Sequence, residues 1–531
     1  MQTVSENWKN AHKQTILNES FVEVSLDIAD PDALAAASPQ DNGAVYISDS
    51  SKLTDGVDNT PTPYCTLEQN LWCLDGNRKA IPESDFGDNC YVGDVLSDDT
   101  CMFRTKVPVI TISFPKVFNK LIPGVTITWS ATYDEWADTF AVIAYNGDTV
   151  VAEKEVVGNR SVTSIVLTDI VGYDRIAIVI KKWCLPYHRA RVEEIFAGLN
   201  KIYGKGELFD YSHSQSVDPV STALPKFEIK FSIDNVEGGY NPYNPEGLAK
   251  YLMERQEVKS RYGLVLGDGS IEWIKGGTFY LSEWYAKQNG MTADFTARDI
   301  LEFMSAIYHD NVTTITQRSL YDLAIMLLQH AELPLNSDGT VKWVVDESLK
   351  SIYTSAPLPE DTLANCLQLI ANAGECVLYQ DRDGILHIEP LRFDDTDYKI
   401  DSFNSYSKSE ITLSKPMKMV NVKVYSYTMG DRGIEDTTTE VSTVVGTTGE
   451  TITIDNPLIT DTDRAASLGT WLATHLGHRM TLDSSWRPDV RLDALDIVGN
   501  ENSYNTNRVR MTEVEFKYNG AFRGTGKGKV I

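Results

Sequence analysis

The chain has no long apolar run. Across its 531 residues no stretch approaches the ~18 apolar residues that a membrane-spanning helix needs. The opening "MQTVSENWKNAHK" is polar where a secretory signal carries an apolar centre. The expectation is a soluble protein made without Sec export. Basic residues are also scarce: Lys plus Arg number 48 against 75 Asp plus Glu, a formal net charge of −27. A surface of that sign repels phosphates and anionic membranes, which argues against sequence-specific nucleic acid binding. Most of the acidity reads as a solubility device. An acidic wall would also suit a conduit that passes DNA without holding it.

Catalytic and metal-binding signatures are missing as well. No Gly-x-Ser-x-Gly elbow occurs and the eight histidines are scattered, so no Ser-His-Asp or Cys-His set can be assigned. "HLGH" places His475 and His478 one turn apart on a helix, but no Glu stands where a zinc-protease helix requires it. "DRDG" at Asp381 to Gly384 lacks the twelve-residue frame and closing Glu of a calcium loop and reads as a turn. Seven cysteines form an odd set; Cys65, Cys73, Cys90, Cys101 and Cys184 share one region without Cys-x-x-Cys pairs. They read as free core thiols rather than zinc ligands. Neither an enzyme, a cofactor nor a metal is expected.

What is present is strand after strand. Hydrophobic residues at 42% and charged residues at 23% are ordinary globular values, and the length implies about three or four domains. Residues 14–28 read as an extended strand with Phe21, Val22, Val24, Leu26 and Ile28 partly alternating. Residues 55–200 hold short strands separated by turn signals, as at Val109 to Phe114, Thr126 to Ser130, Ala141 to Tyr145 and Arg175 to Ile180; this pattern predicts a two-sheet antiparallel sandwich. A short strand is expected around Val45 to Ile47 and a helix over Gly247 to Lys259. Leu320, Leu323, Ala324, Leu327 and Leu328, then Leu363, Cys366, Leu367 and Ile370, fall at helical spacing. A further helix is expected over Asp461 to Leu476, and the chain closes on a strand from Arg508 to Gly520.

Two stretches carry a resemblance. "EWIKGGTFYLSEWYAKQNGMTADFTARDILEFM", Glu272 to Met304, reads as two strands and a helix starting near Arg298. "AGECVLYQDRDGILHIEPL", Ala373 to Leu391, is a hairpin whose Asp-Gly turn suits the twist of paired strands. With helices between them and a β-rich tail after them, this ordered set resembles the baseplate-hub or tail-tip family of long-tailed bacteriophages. The resemblance implies a homotrimer at the distal end of the tail tube, in which each chain contributes two tube-like β-barrels and DNA passes through the channel. It also implies contacts with distal tail and tail-tube proteins, the tape-measure protein and tail-fibre or receptor-binding proteins. The implied place is the virion tail tip, assembled in the host bacterial cytoplasm. Relatives often extend into a peptidase, lysozyme or fibre, whereas this chain stops at "GTGKGKVI", so wall degradation is expected of a partner.

"TLEQNLWCLDG" and "RVEEIF" resemble the ends of a galactose-binding-like jelly roll. Within that region lie Trp72, Trp129, Tyr133, Trp136, Tyr145, Trp183 and Tyr187, with His188, Arg189 and Arg191 beside the last two. Sugars present C–H faces to aromatic rings and hydroxyls to charged groups, so Trp72, Trp129, Tyr133, Trp136, Trp183, Tyr187 and Arg189 are the candidates for a host-glycan site. Sandwich cores also consume tryptophan, and packing is the competing reading.

The expected fold is α+β, β-rich and multidomain. Residues 1–54 and 201–304 form barrel domain 1, interrupted by the antiparallel sandwich at 55–200; residues 305–394 form a small helical α/β lobe, and 395–531 form barrel domain 2 with the C-terminal β-rich part. The insertion is inferred because the strand at 14–28 has no local partner. The rival functions are a carbohydrate-binding adhesin and a cell-wall-degrading enzyme.

Overall fold

The computed structural model describes residues 1–14, 18–54, 64–66, 68, 71, 90–287, 290–310, 314–336, 340–430 and 433–531. Its spine is one sheet of thirteen strands. The path starts at Gly198–Tyr203 and runs through Ser20–Ala29, Glu257–Val265, Ile271–Ala286, Thr292–Arg298, Lys226–Asp234 and Leu208–Ser216. It then crosses to Thr506–Tyr518, Phe522–Val530, Met480–Trp486 and Glu410–Leu413, while Asp395–Ile400 joins through Ile497–Glu501. The crossing is an antiparallel ladder from Tyr211 opposite Tyr518 to Ser216 opposite Glu513. The strands expected in two separate barrels are therefore halves of one sheet, and no closed barrel is found among the described residues.

Alternation builds these strands. Val22, Val24, Leu26 and Ile28 are buried along Ser20–Ala29, as are Phe227, Ile229, Phe231 and Ile233 along Lys226–Asp234. Period-two burial aims each set at one core. Phe231 and Phe295, register partners on neighbouring strands, stack with ring centroids 5.1 Å apart.

The strand Ser20–Ala29 pairs on one side with Glu257–Val265 and on the other with Gly198–Tyr203. Ala29 lies directly opposite Gly198, so the chain leaves the spine and returns to it at one point. Gly198 is required there. Its φ is +153°, and a Cβ would stand 2.6 Å from both the Ala29 Cβ and the Ile28 carbonyl oxygen.

Between these points lies a sandwich. One sheet orders Ser38–Asp41, Val109–Phe118, Tyr173–Trp183, Ala137–Asn146 and Thr149–Val157; the other orders Glu194–Phe196, Ile122–Thr128 and Thr163–Ile170, with the pair Tyr91–Leu96 and Arg189–Val192 beside them. All these pairings are antiparallel. The sandwich core draws residues from Ala33 to Ala197 and is separate from the core of the spine. Elements upstream of residue 55 thus pack within it.

A third core joins the helices Leu320–His330 and Leu363–Ala373 to the sheet of Met417–Gly430, Gly433–Val444 and Glu450–Ile454 and to the helix Thr462–Gly477. Ser319, Thr362 and Asp461 cap the three helices through side-chain oxygens that accept backbone N–H bonds. The segment 417–477 leaves the spine to pack on the lobe, contributing Val420, Val422 and Leu468 to its core.

Buried side chains tie the lobe to the spine: Gln380 donates to the Thr278 carbonyl at 2.9 Å, Lys342 reaches Glu257 and the Tyr280 hydroxyl at 3.2 Å, and Arg382 reaches furthest. The hairpin Cys376–Gln380 and Leu386–Pro390 turns at Asp381–Gly384, where Gly384 has φ +80°. The turn inserts Arg382, 4% exposed. Its Nε donates to Asp493 Oδ1 at 2.7 Å, one terminal nitrogen to the Lys275 carbonyl at 2.8 Å, and the other to the Val490 and Leu492 carbonyls at 2.8 and 2.9 Å. Gln215 on the crossing strand donates to the same Asp493 oxygen at 3.1 Å and accepts from the Ala494 N–H at 2.7 Å.

Two local expectations are corrected. Residues 247–259 are not a helix: a single 3-10 turn at Leu248–Tyr251 precedes the strand Glu257–Val265. The buried Gln256 amide holds this reversal, donating to the Tyr251 carbonyl and accepting from the Met253 N–H. Val45 to Ile47 form a turn, with only Ala44 bridging to Gly93.

Because Ala29 and Gly198 already face each other, replacing residues 30–197 by an Asn-Gly turn should preserve the spine. The expected product is soluble and melts within about 4 °C of the full chain, the shift that about 1 kcal/mol produces. An insoluble product would show that the sandwich completes the core of the spine.

Candidate functional site

The sandwich carries a cavity of about 250 Å³ between its two-stranded ribbon and the loop after Ile122–Thr128. Tyr46, Tyr64, Tyr91 and Tyr133 supply aromatic wall, and Glu68, Arg189, Arg191 and Glu193 supply charge. The strand Arg189–Val192 pairs with Tyr91–Leu96 through a register shift between Arg189 and Arg191, which brings both guanidinium groups toward the cavity.

Beneath it is a buried ionic network. Glu135 accepts from the Trp183 indole N–H at 2.8 Å, and its other oxygen lies 2.8 Å from His188 Nδ1. Arg191 donates to Glu68 at 2.6 Å and approaches Glu135 at 3.5 Å. Glu68 also accepts the backbone N–H of Arg189 at 3.0 Å, while Arg189 donates to the Gly93 carbonyl at 3.1 Å. The Arg191 guanidinium sits 4.7 Å from the centroid of the Tyr133 ring, a cation–π contact that holds that ring as wall.

Burial pushes the His188 imidazole down, but its hydrogen bond to Glu135 and the charges of Glu135 and Glu68 outweigh this and hold it above its ordinary value. Burial also raises the Glu193 carboxyl, against the opposing N–H bonds of Thr132 and Ala131. Such a floor can hold fixed donors and acceptors under an aromatic rim, which is an arrangement suited to hydroxyl-bearing ligands.

The structure divides the residues expected at a glycan site. Tyr133 and Arg189 line the cavity together. Trp129 and Trp183 have no exposed surface and pack edge-to-face in the sandwich core, so neither can offer a ring face to a sugar. Trp136 packs against that core, with its backbone N–H on Cys184 Sγ. Tyr187 is half exposed but not part of the cavity lining, and Tyr145 lies under Arg175. Trp72 lies outside the described residues. Sequence reading missed Glu68 and Glu135, whose partners are 123 and 53 residues away; no local spacing signals them.

A larger cavity of about 640 Å³ lies where the N-terminal segment, the lobe hairpin and the C-terminal strands meet. Its charges largely satisfy one another, as in Lys9 with Asp397 at 3.2 Å and Arg382 with Asp493 at 2.7 Å. No group of His, Cys, Asp and Glu among the described residues could hold a metal ion.

No protein-family model matches the chain, and no curated protein does. Among solved structures it is similar to the 43 kDa tail protein of prophage MuSo2 from Shewanella oneidensis, at 13% identity and TM-score 0.41, over 62% of this chain and 95% of that one. It is similar to a tail protein from Neisseria meningitidis at 10% identity and TM-score 0.43, over 63% and 94%. A prophage tail protein from Listeria monocytogenes matches at 10% identity and TM-score 0.39, over 62% and 91%. At these values no residue's role is carried across.

Glu135→Ala would leave His188 and Arg191 buried with a single carboxylate between them. The expected cost is about 3 kcal/mol or more, read by denaturant unfolding of the full chain with tryptophan fluorescence. The His188 contribution has a definite sign. Because its folded value is raised, the stabilisation is complete below the unfolded value of about 6.5 and is lost as pH rises through the folded value. Stability of the sandwich should therefore fall with rising pH in that window, and His188→Gln should flatten the profile; an unchanged slope in that variant would contradict the assignment.

Proposed function

We propose that this chain is a structural tail-tip protein of a long-tailed phage, a hub subunit that assembles in threes at the distal end of the tail tube and forms part of the channel through which DNA leaves. The observation that carries this reading is an open edge on the spine. Glu410–Leu413 is exposed along its length, and Ile411 and Leu413 are 62% and 61% exposed. A free sheet edge with apolar residues invites pairing with another chain; in a ring of copies seated on a tube that edge is covered. The ordered resemblance in sequence supports the same reading.

The partners of such a hub are two further copies, distal tail and tail-tube proteins, the tape-measure protein and tail-fibre or receptor-binding proteins. Its place is the virion tail tip, after assembly in the bacterial cytoplasm. The balance of 75 acidic against 48 basic residues suits a wall that passes DNA without gripping it. We assign no catalytic role. The sandwich, hung on the spine between Ala29 and Gly198, serves as a docking module for tail proteins. A second reading, a carbohydrate-binding adhesin, is favoured by the cavity at Tyr133 and Arg189 alone.

Size measurement of the purified protein tests the hub. Particles of three times the chain's mass are expected, and Ile411→Lys with Leu413→Lys should weaken association about tenfold or more, the effect of about 1.4 kcal/mol. Monomers at every concentration, together with a glycan affinity lost in Tyr133→Ala and Arg189→Ala, would favour the adhesin.

A further inference from the structure

The "HLGH" motif stands beside two basic residues of the spine. His475 and His478 end the helix Thr462–Gly477. Arg510 and Lys529 are register partners on Thr506–Tyr518 and Phe522–Val530, and cross-strand partners project from the same face of a sheet. Arg510 is 3% exposed. One of its terminal nitrogens donates to the Arg392 carbonyl at 2.9 Å, and its guanidinium stacks 4.5 Å from the Phe393 ring centroid. Its Nε, however, is buried with no hydrogen-bond partner. A buried guanidinium N–H without an acceptor is costly.

Two acids of this region are committed elsewhere. Asp395 is bonded by Arg508 at 2.7 Å, and Glu389 by Arg392 at 2.7 Å. Burial, and then the charges of Arg510, His478 and Lys529, push His475 down to about 4, against the opposing charge of Asp218. His478 and Arg510 are also lowered, first by burial and then by neighbouring positive charge. In a chain of net charge −27, four basic groups meet here with little compensation. The Phe393 ring lies between Arg510 and His475, which it faces at 6.4 Å, and Trp471 packs edge-to-face on His475 at 4.7 Å. These rings hold Arg510 and His475 in place.

We propose that Arg510, Lys529, His475 and His478 form a binding site for a small oxyanion, a carboxylate or a phosphate group. The Arg510 Nε–H is the buried donor, Lys529 supplies mobile charge from a half-exposed position, and the two imidazoles close the helix side. A single carboxylate from a second copy of this acid-rich chain and a free phosphate share this chemistry.

Calorimetric titration of the full-length protein with inorganic phosphate, and separately with acetate, at constant ionic strength in chloride, tests the site. Saturable binding is expected, weakened about tenfold or more in Arg510→Gln and in Lys529→Gln, since each removes a charge-assisted bond. Lys529 is half exposed, so its variant reports on the site even if Arg510→Gln fails to fold. Binding also has a signature independent of affinity: phosphate should raise the NMR titration midpoint of His475 by about 1 pH unit or more. Sedimentation distinguishes the source. If phosphate lowers self-association of the unmodified chain but not of Lys529→Gln, the natural occupant is a carboxylate of another copy; if self-association is unaffected, it is a free anion. Absence of binding, or equal binding by Lys529→Gln, overturns the proposal.

Discussion

The buried Arg382 guanidinium is the constraint on which the arrangement of domains depends. It leaves the tip of a lobe hairpin, enters the spine, and donates four hydrogen bonds to Asp493, Lys275, Val490 and Leu492. Those acceptors belong to both halves of the sheet. Lys275 lies on a strand of the N-terminal half, and the segment from Val490 to Asp493 leads into the C-terminal half. Removing such a group from water is expensive unless its donors are all matched, so the hairpin, the sheet crossing and the 490–493 segment must adopt their positions together. Gln215 reinforces this from the crossing strand. Next to it His213 is pushed down to about 3, by burial and then by the Arg382 charge, and stays neutral beside the Tyr262 hydroxyl at 2.7 Å.

The sandwich follows a different logic. Its core shares no residue with the core of the spine, and its connections meet at opposed residues of one ladder. Contacts such as Lys250 with Asp169 at 3.5 Å fasten it laterally, but its ionic floor of Glu68, Glu135, His188 and Arg191 closes on itself. A module connected in this way can change without altering the sheet that carries it.

Much of the strand pattern was legible in sequence because its causes are local. Period-two burial in Ser20–Ala29 and Lys226–Asp234, and the Asp-Gly turn at Gly384, need no distant partner to be read. The unpartnered strand near the N-terminus pointed across the sandwich for the same reason: backbone groups need acceptors. What failed was whatever depends on tertiary contact. Gly247 to Lys259 is rich in helix-forming residues, yet the Gln256 amide turns it into a strand. Trp129 and Trp183 looked like sugar-stacking rings because spacing cannot say whether an indole faces inward or outward. Arg382 sat in a turn motif judged plain, and its four acceptors, more than 100 residues away, gave no local sign. The "HLGH" imidazoles were likewise visible, but not the arginine and lysine that the spine places beside them.

Hydrogen exchange of Arg382→Ala, read peptide by peptide against the unmodified chain, tests the central claim that one buried cation couples the lobe to both halves of the spine. Protection should fall together in three regions: the hairpin at 376–390, the segment at 489–496 and the crossing strand Leu208–Ser216, with the sandwich strands at 109–183 unchanged. Loss confined to the Asp381–Gly384 turn would contradict it, and would mean that the two halves hold each other without the lobe.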